Sequence, residues 1–366
     1  MKTKVYSILA LAAGVFAMHS CKINEDYDLD KFDDEVTVLE GMKINVTEEM
    51  ELSIGEILGS EGSPDSDGTS VFRSRDNYVN MSISSWDLRQ ANTHSIHMPL
   101  GSSAPEFIAL SQGKLLFTNP VIEVDITNPF PEDILSDLTF YSGSNTVFVK
   151  GLRVPPGGMS FDLSPKGNST SSEVQNVVIP EIRTLFESLN SDIQLDHIVL
   201  YTESASPSAV LNSEYSGAVR VASRTRIPLE FDPGTDFTID IDFSRLGISE
   251  EFDITSYDLP DCPDIQVEAD VVNAIPISFS IDFNTQSAVE ISLTPAIKAG
   301  TSAAPITTPV VASLKMNNTH LYKEMIDYFR ASIRVKVESD ESVKISADQN
   351  VDLKIKSITL PNGLTI

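Results

Sequence analysis

A chain of 366 residues with 26 Lys+Arg against 53 Asp+Glu has a formal charge of −27. That excludes the phosphate-backbone affinity that clustered cations give a nucleic-acid binder. The hydrophobic fraction of 41% fills packed cores, is too low for a polytopic helical membrane protein, and at this length suits about two domains.

Lys2 and Lys4 precede an uncharged apolar run, Val5 to Met18, that ends in small or polar residues before Cys21. Fourteen helical residues span about 21 Å against a hydrocarbon core of about 30 Å, so residues 1–20 read as a secretory signal and not a spanning helix. A cysteine directly after such a run resembles the lipobox of bacterial lipoproteins. That resemblance implies cleavage after Ser20 and lipid on Cys21, although Met18 and His19 depart from the usual Leu and small residue. Ordinary cleavage with a free Cys21 is the alternative. Residues 21–40 then form an acidic tether, with eight acids and two lysines between Lys22 and Glu40, which repels itself into an extended spacer. Acids soon after Cys–Lys are similar to the export flag on surface lipoproteins of Bacteroidetes-type bacteria. The likeness covers about ten residues and implies an outer-membrane anchor and display at the cell surface.

Beyond the tether the chain alternates apolar and polar residues at period two, as in Ile122 to Ile126, Phe237 to Phe243, Ile277 to Phe283 and Ile333 to Val337. Such strands bury one face and wet the other, and Gly, Pro, Asp and Ser clusters separate them. Pro180 opens EIRTLFESL, where Ile182, Leu185, Phe186 and Leu189 make an apolar helical stripe; Asn318 can cap a second helix, HLYKEMIDYF. The expected fold is mainly β: two tandem antiparallel β-sandwich-like units, residues 41–232 and 233–366, each covered by one α-helix.

An internal duplication supports two units. The segment DITNPFPEDI (125–134) matches DVVNAIPISF (270–279), pairing Asn128 with Asn273 and Pro131 with Pro276. VRVASRTRIPLEF (219–231) aligns without gaps on VKISADQNVDLKI (343–355), and the Gly/Pro/Ser-rich stretch 154–173 reads as a loop inserted in the first copy. The segment ITNPFP also resembles, over about six residues, the Asn–Pro turns of the desiccation-related WHy β-sandwich domains. Ala274 breaks that likeness in the second copy, and it carries no function.

Chemistry-bearing motifs are sparse. Asp65, Asp67 and Gly68 fall at the third, fifth and sixth positions of a calcium loop, but Ser63 and Ser74 occupy the positions of its two anchoring acids, leaving Asp65 and Asp67 as weak metal candidates. His94 and His97 lie in a loop-like segment with no HExxH pattern. His197 enters a strand and His320 a first helical turn. Ser111 and Lys114 satisfy S-x-x-K only in letters, with Gly113 marking a turn. Trp86 reads as a core or edge residue, and Cys262 is held between prolines without an intramolecular partner once Cys21 carries lipid. Asp240, Asp242 and Asp282 read as solvated strand faces. Catalytic residues and cofactors are therefore expected to be absent. The function expected is a non-catalytic, lipid-anchored envelope lipoprotein whose partners are the outer membrane, through Cys21, and an unknown protein or glycan, with no nucleic acid. The alternatives are a fimbrial structural subunit and a glycan-binding lipoprotein, with a carboxylate-based hydrolase behind them.

Overall fold

The computed structural model describes residues 37–38, 42–53, 62–64, 68–100, 108–167, 173–187, 193–202, 216–242, 265–284, 289–316, 330–361 and 364–365. The protein is mainly β, and among the described residues the pairing is antiparallel except for one parallel pair, Met159–Ser164 beside Val174–Val178.

In the first unit two sheets face each other. One runs in the order Asn145–Val154, Ile134–Ser142, Gln194–Tyr201, Thr93–Pro99. The other is built on Ser216–Pro228, flanked on one side by Asn77–Ser84 and Ser70–Arg73 and on the other by Val121–Ile126 and Met159–Ser164. The alternation is strict along Ile134–Ser142, where Ile134, Ser136, Leu138, Phe140 and Ser142 are buried and the residues between them half-buried. Ile122, Val124, Ile126, Phe161, Val219 and Val221 from the opposing sheet complete the same apolar cluster. Burying a side chain of this size stabilises by roughly 1.5–3 kcal/mol, so the two faces hold each other.

The second unit is a single nine-stranded sheet in the order 42–53, 350–360, 265–273, 306–316, 289–294, 278–284, 330–336, 236–242, 108–114. Two of its strands, Met42–Ser53 and Ile108–Lys114, precede the DPG turn at Asp232 in sequence. The chain thus lays down one edge of the second unit, makes the first, and returns to finish the second.

The duplication is visible in register. Ile126 and Val271, each two residues before its Asn, pair with Val221 and Leu353 on the closing strands, and with Met159 and Thr308 on the other side. Leu138 pairs with Ile198 as Phe283 pairs with Ala331. Val221 therefore corresponds to Leu353, eight residues along from the Ile345 that sequence matching assigns to it. One difference separates the sheets of the first unit. Val289–Thr294 pairs on both sides and makes the second sheet continuous, whereas among the described residues Asn145–Val154 pairs only with Ile134–Ser142.

Both Asn side chains build the same turn. Asn128 Nδ2 donates to Glu132 O (2.7 Å) and Val154 O (2.9 Å), and its Oδ1 accepts from Phe130 N (2.9 Å). Asn273 Nδ2 donates to Ile277 O (2.9 Å) and Lys298 O (2.8 Å), and its Oδ1 accepts from Ile275 N (2.9 Å). The residue two beyond each Asn, Phe130 or Ile275, plugs the core. Only an amide offers two donors and an acceptor in this arrangement.

Several expectations are corrected. The first predicted α-helix is a 3-10 turn, Pro180–Phe186, that buries Ile182, Leu185 and Phe186; with seven residues and no side-chain cap at Ile179, it winds tightly and covers the core with one short stripe. The second predicted helix, residues 320–329, lies outside the described residues. A short α-helix, Ser85–Gln90, was not anticipated; Ser84 and Asp87 form its capping box. The segments around His94 and Ser111 are strands, not a loop and a turn. Within 154–173, residues Met159–Ser164 form a strand.

The units meet around Asp232. Its carboxylate accepts from Thr118 Oγ1 (2.7 Å) and Ser342 Oγ (2.8 Å) and pairs with Arg183 Nη2 (2.6 Å) and Lys166 Nζ (3.8 Å). Burial by itself would raise its pKa; the two hydroxyl donors and the two cations outweigh burial and hold it below the usual aspartate value. Phe117 stacks on Phe231 beside Phe237, and the large apolar cluster continues through Ile275, Val335, Val337, Val343 and Ile345.

Candidate functional site

The outward face of the four-stranded sheet is the most distinctive surface of the first unit. Phe148, 62% exposed, stands opposite Thr139, which is opposite His197, which is opposite Ser95. Tyr141 and Tyr201 are half-buried on the same face, and Asp137 accepts from Gly151 N (2.7 Å) and Tyr201 Oη (3.1 Å).

Within this face, His97 and His197 share one carboxylate. His97 Nδ1 contacts Asp196 Oδ1 and His197 Nδ1 contacts Asp196 Oδ2; their side chains are 69%, 33% and 14% exposed in the order His97, His197, Asp196. The ring centroids are 6.1 Å apart at an interplanar angle of 70°. Neighbours in a regular strand point to opposite faces, yet Asp196 and His197 both look outward. A register shift between Leu195 and His197 makes this possible: against Ile134–Ser142 Asp196 is an extra residue, and against Thr93–Pro99 it lies opposite two, Ile96 and His97. Across from it, His97 has φ of 43°, left-handed for a residue with a Cβ.

A second polar feature lies on the outward face of the other sheet, a cleft of about 160 Å³ lined by Asp76, Glu123, Asp125, Arg220 and Arg224. Its charges are matched within the chain. Glu123 pairs with Arg224 Nε and, at 2.9 Å, with Arg226 Nε; Arg224 also reaches Asp76 at 3.3 Å; and Arg226 Nη2 lies 3.7 Å from Asp162. Burial alone would depress the Arg224 pKa, but Glu123 and Asp76 more than offset it and raise the value. The Arg220 guanidinium sits 4.6 Å above the Tyr78 ring. This network holds strands together and leaves little charge for a ligand.

Of the candidates named from sequence, Cys21, Asp65, Asp67, Cys262 and His320 lie outside the described residues, as do the side chains of Asp240, Asp242 and Asp282. Trp86 is 57% exposed on the short helix and so is not a core residue. His94 alternates away from His97, with Nε2 buried and no hydrogen-bond partner among the described residues. Asp196 was missed. Its signal was present in QLDHIVLY, where apolar Leu195 and Ile198 stand three apart in a period-two strand, as a bulge requires. Among the described residues no group of three or more His, Cys, Asp or Glu side chains is arranged to hold a metal ion, and no helix is long and apolar enough to cross a membrane.

Compared with known proteins, the chain matches no protein-family model and no curated protein. Among solved structures it is similar to a "putative secreted protein" from Parabacteroides distasonis, with 11% identity, 89% of this chain and 98% of the other covered, and a TM-score of 0.41.

Proposed function

We propose that this chain is a lipid-anchored envelope lipoprotein without catalytic activity, held in the outer membrane by Cys21 and displaying its first unit for binding. The observation that carries the reading is Cys21 placed directly after an apolar signal run and directly before an acidic tether. The structure adds a route for display. The described chain takes up regular pairing again at Met42, the start of an edge strand in the second unit, so the tether leads into the second unit and leaves the sheet face bearing Phe148 and His197 on the other. Metabolic labelling with palmitate tests the anchor: label is expected on the wild type and lost in Cys21→Ala, and equal labelling of both refutes it. Protease shaving of intact cells tests display, since a protein cleaved only after lysis is not on the surface.

A second reading, assembly into a polymer, is favoured by one observation. Among the described residues Met42–Ser53 pairs only with Asn350–Leu360, so a neighbour's strand replacing it would meet a ready edge. SDS-stable ladders in unboiled extracts would support polymerisation, and a single monomer band would sink it. Glycan binding by the Phe148 face is tested on a glycan array with Phe148→Ala as the control.

A further inference from the structure

We propose that the outward face of the four-stranded sheet binds a neutral oligosaccharide laid across its strands, with one sugar ring stacked on Phe148. The site lies on the unit displayed for binding, and so rests on that reading and names its ligand class. Phe148, Thr139, His197 and Ser95 stand opposite one another on successive strands. Three strand spacings of about 4.8 Å make this row about 14 Å long, room for a short chain of sugars. At one end is a ring 62% exposed, whose negative π-face attracts the C–H side of a pyranose. Along the rest are groups that meet sugar hydroxyls in both directions. Thr139 and Ser95 carry hydroxyls that donate and accept. The His197 Nδ1 is committed to Asp196, and an Nδ1 against a carboxylate oxygen must carry the proton, so its Nε2 is an acceptor. His97 is held in the same way on the other oxygen. Because both Nδ1 atoms converge on one carboxylate, the two Nε2 atoms point apart and offer separate acceptors, which suits a ligand with hydroxyls spaced along it.

Charge selects an uncharged ligand. On a chain of formal charge −27, this face engages its acids internally: Asp137 with Gly151 N and Tyr201 Oη, Asp196 with the two imidazoles, and Asp133 with Arg153 at 2.6 Å. Among the described residues Lys150 is then the cation on this face without a carboxylate partner, and one exposed cation does not hold a polyanion at physiological salt. A protein partner would need about 800 Å² of surface with an apolar core, yet of the large exposed apolar side chains Phe148 is the one that these four strands carry. Two departures from regular strand geometry also converge here, the extra residue Asp196 and the left-handed φ of 43° at His97. Departures of this kind collect at binding sites. Without the first, Asp196 and His197 would lie on opposite faces of the sheet.

The test is surface plasmon resonance of the purified full-length protein on immobilised neutral hexasaccharides of glucose, mannose, xylose and N-acetylglucosamine, beside oligogalacturonate and heparin fragments. At least one neutral ligand should bind saturably, with an affinity unchanged between about 0.05 and 0.5 M NaCl because no ion pair forms. Phe148→Ala should weaken it about 10–30-fold, as truncating an aromatic anchor does. Ser95→Ala should weaken it about 2–10-fold, as losing one hydrogen bond does. Tyr78→Ala, which removes a 60% exposed ring from the opposing sheet, should change nothing. All three replace exposed side chains and should fold normally by circular dichroism. Absence of a saturable neutral ligand, equal binding by Phe148→Ala and wild type, or a preference for acidic fragments that salt abolishes overturns the proposal. Capture of a protein partner through Phe148 with no sugar bound overturns it too while leaving display for binding intact, and protease shaving tests that display without any glycan.

Discussion

Replacing Asn128 by Ala removes three hydrogen bonds at once, those to Glu132 O, Val154 O and Phe130 N. A hydrogen bond contributes about 0.5–1.5 kcal/mol net, and a buried group left without a partner costs about 1–3 kcal/mol. Asn128 is 3% exposed, and its bonds to Val154 and Phe130 are buried, so water cannot replace them. The expected loss is about 3–4 kcal/mol, or roughly 6–16 °C in Tm for a unit of this size. Asn128→Asp discriminates further. It keeps the acceptor for Phe130 N but aims an oxygen at two carbonyl oxygens, so it should be no more stable than the alanine variant despite being nearly isosteric. Asn273→Ala should behave alike, because its three partners occupy the same relative positions. Urea unfolding followed by far-ultraviolet circular dichroism measures each value. A cost below about 0.5 kcal/mol for Asn128→Ala, or recovery of stability by Asp, would refute the claim that the amide's two donors hold the turn.

At the junction, Asp232 has a lowered folded-state pKa. Its stabilisation is therefore complete above the ordinary aspartate value of 3.8 and is lost as pH falls through the lower, folded-state value. Asp232→Asn should flatten acid unfolding in that window while costing about 1.5–3 kcal/mol at neutral pH, and an unchanged acid limb would count against it. Gly300→Ala would put a Cβ 1.9 Å from Asn273 O, whereas a Cβ at Gly234 meets nothing within 4 Å and only its φ of 83° objects. Thermal melts should show Gly300→Ala costing more than the roughly 1–2 kcal/mol of a left-handed alanine at 234. Arg226→Leu, which leaves Glu123 and Asp162 facing a buried apolar chain, should cost about 3–5 kcal/mol, against under 1 for Arg224→Leu at the 44% exposed neighbour. Similar costs for the two would show that burial does not set the difference.

Much of the β architecture could be read from alternation alone, because a half-buried antiparallel strand imposes period two wherever it occurs. The same property limited what could be aligned. A period-two pattern matches itself at every even offset, so setting Val221 on Ile345 looked as good as setting it on Leu353, eight residues away. The Asn-x-x-Pro signature escaped this ambiguity because an amide with three hydrogen bonds is not periodic. Of the candidate site, the histidines were visible but not their relation: His97 and His197 are 100 residues apart, and only cross-strand register joins them. The membership of Met42–Ser53 in the second unit was likewise invisible, since a strand's partner is a long-range choice that local sequence does not encode. Pro180 and the stripe after it announced a helical cover correctly but not its tighter winding.

The return path of the chain sets an order of assembly. Met42–Ser53 emerges early during synthesis and export, yet its partner, Asn350–Leu360, follows about 300 residues later. The first unit has all its strands once Pro228 has emerged, so its local contacts can close while the second unit still waits for its last strand. Until then Met42–Ser53 is an unmatched edge exposed to wrong pairing. A C-terminal truncation that removes residues 350–360 would therefore strand the segment nearest Cys21, about as far from the lesion in sequence as the chain allows.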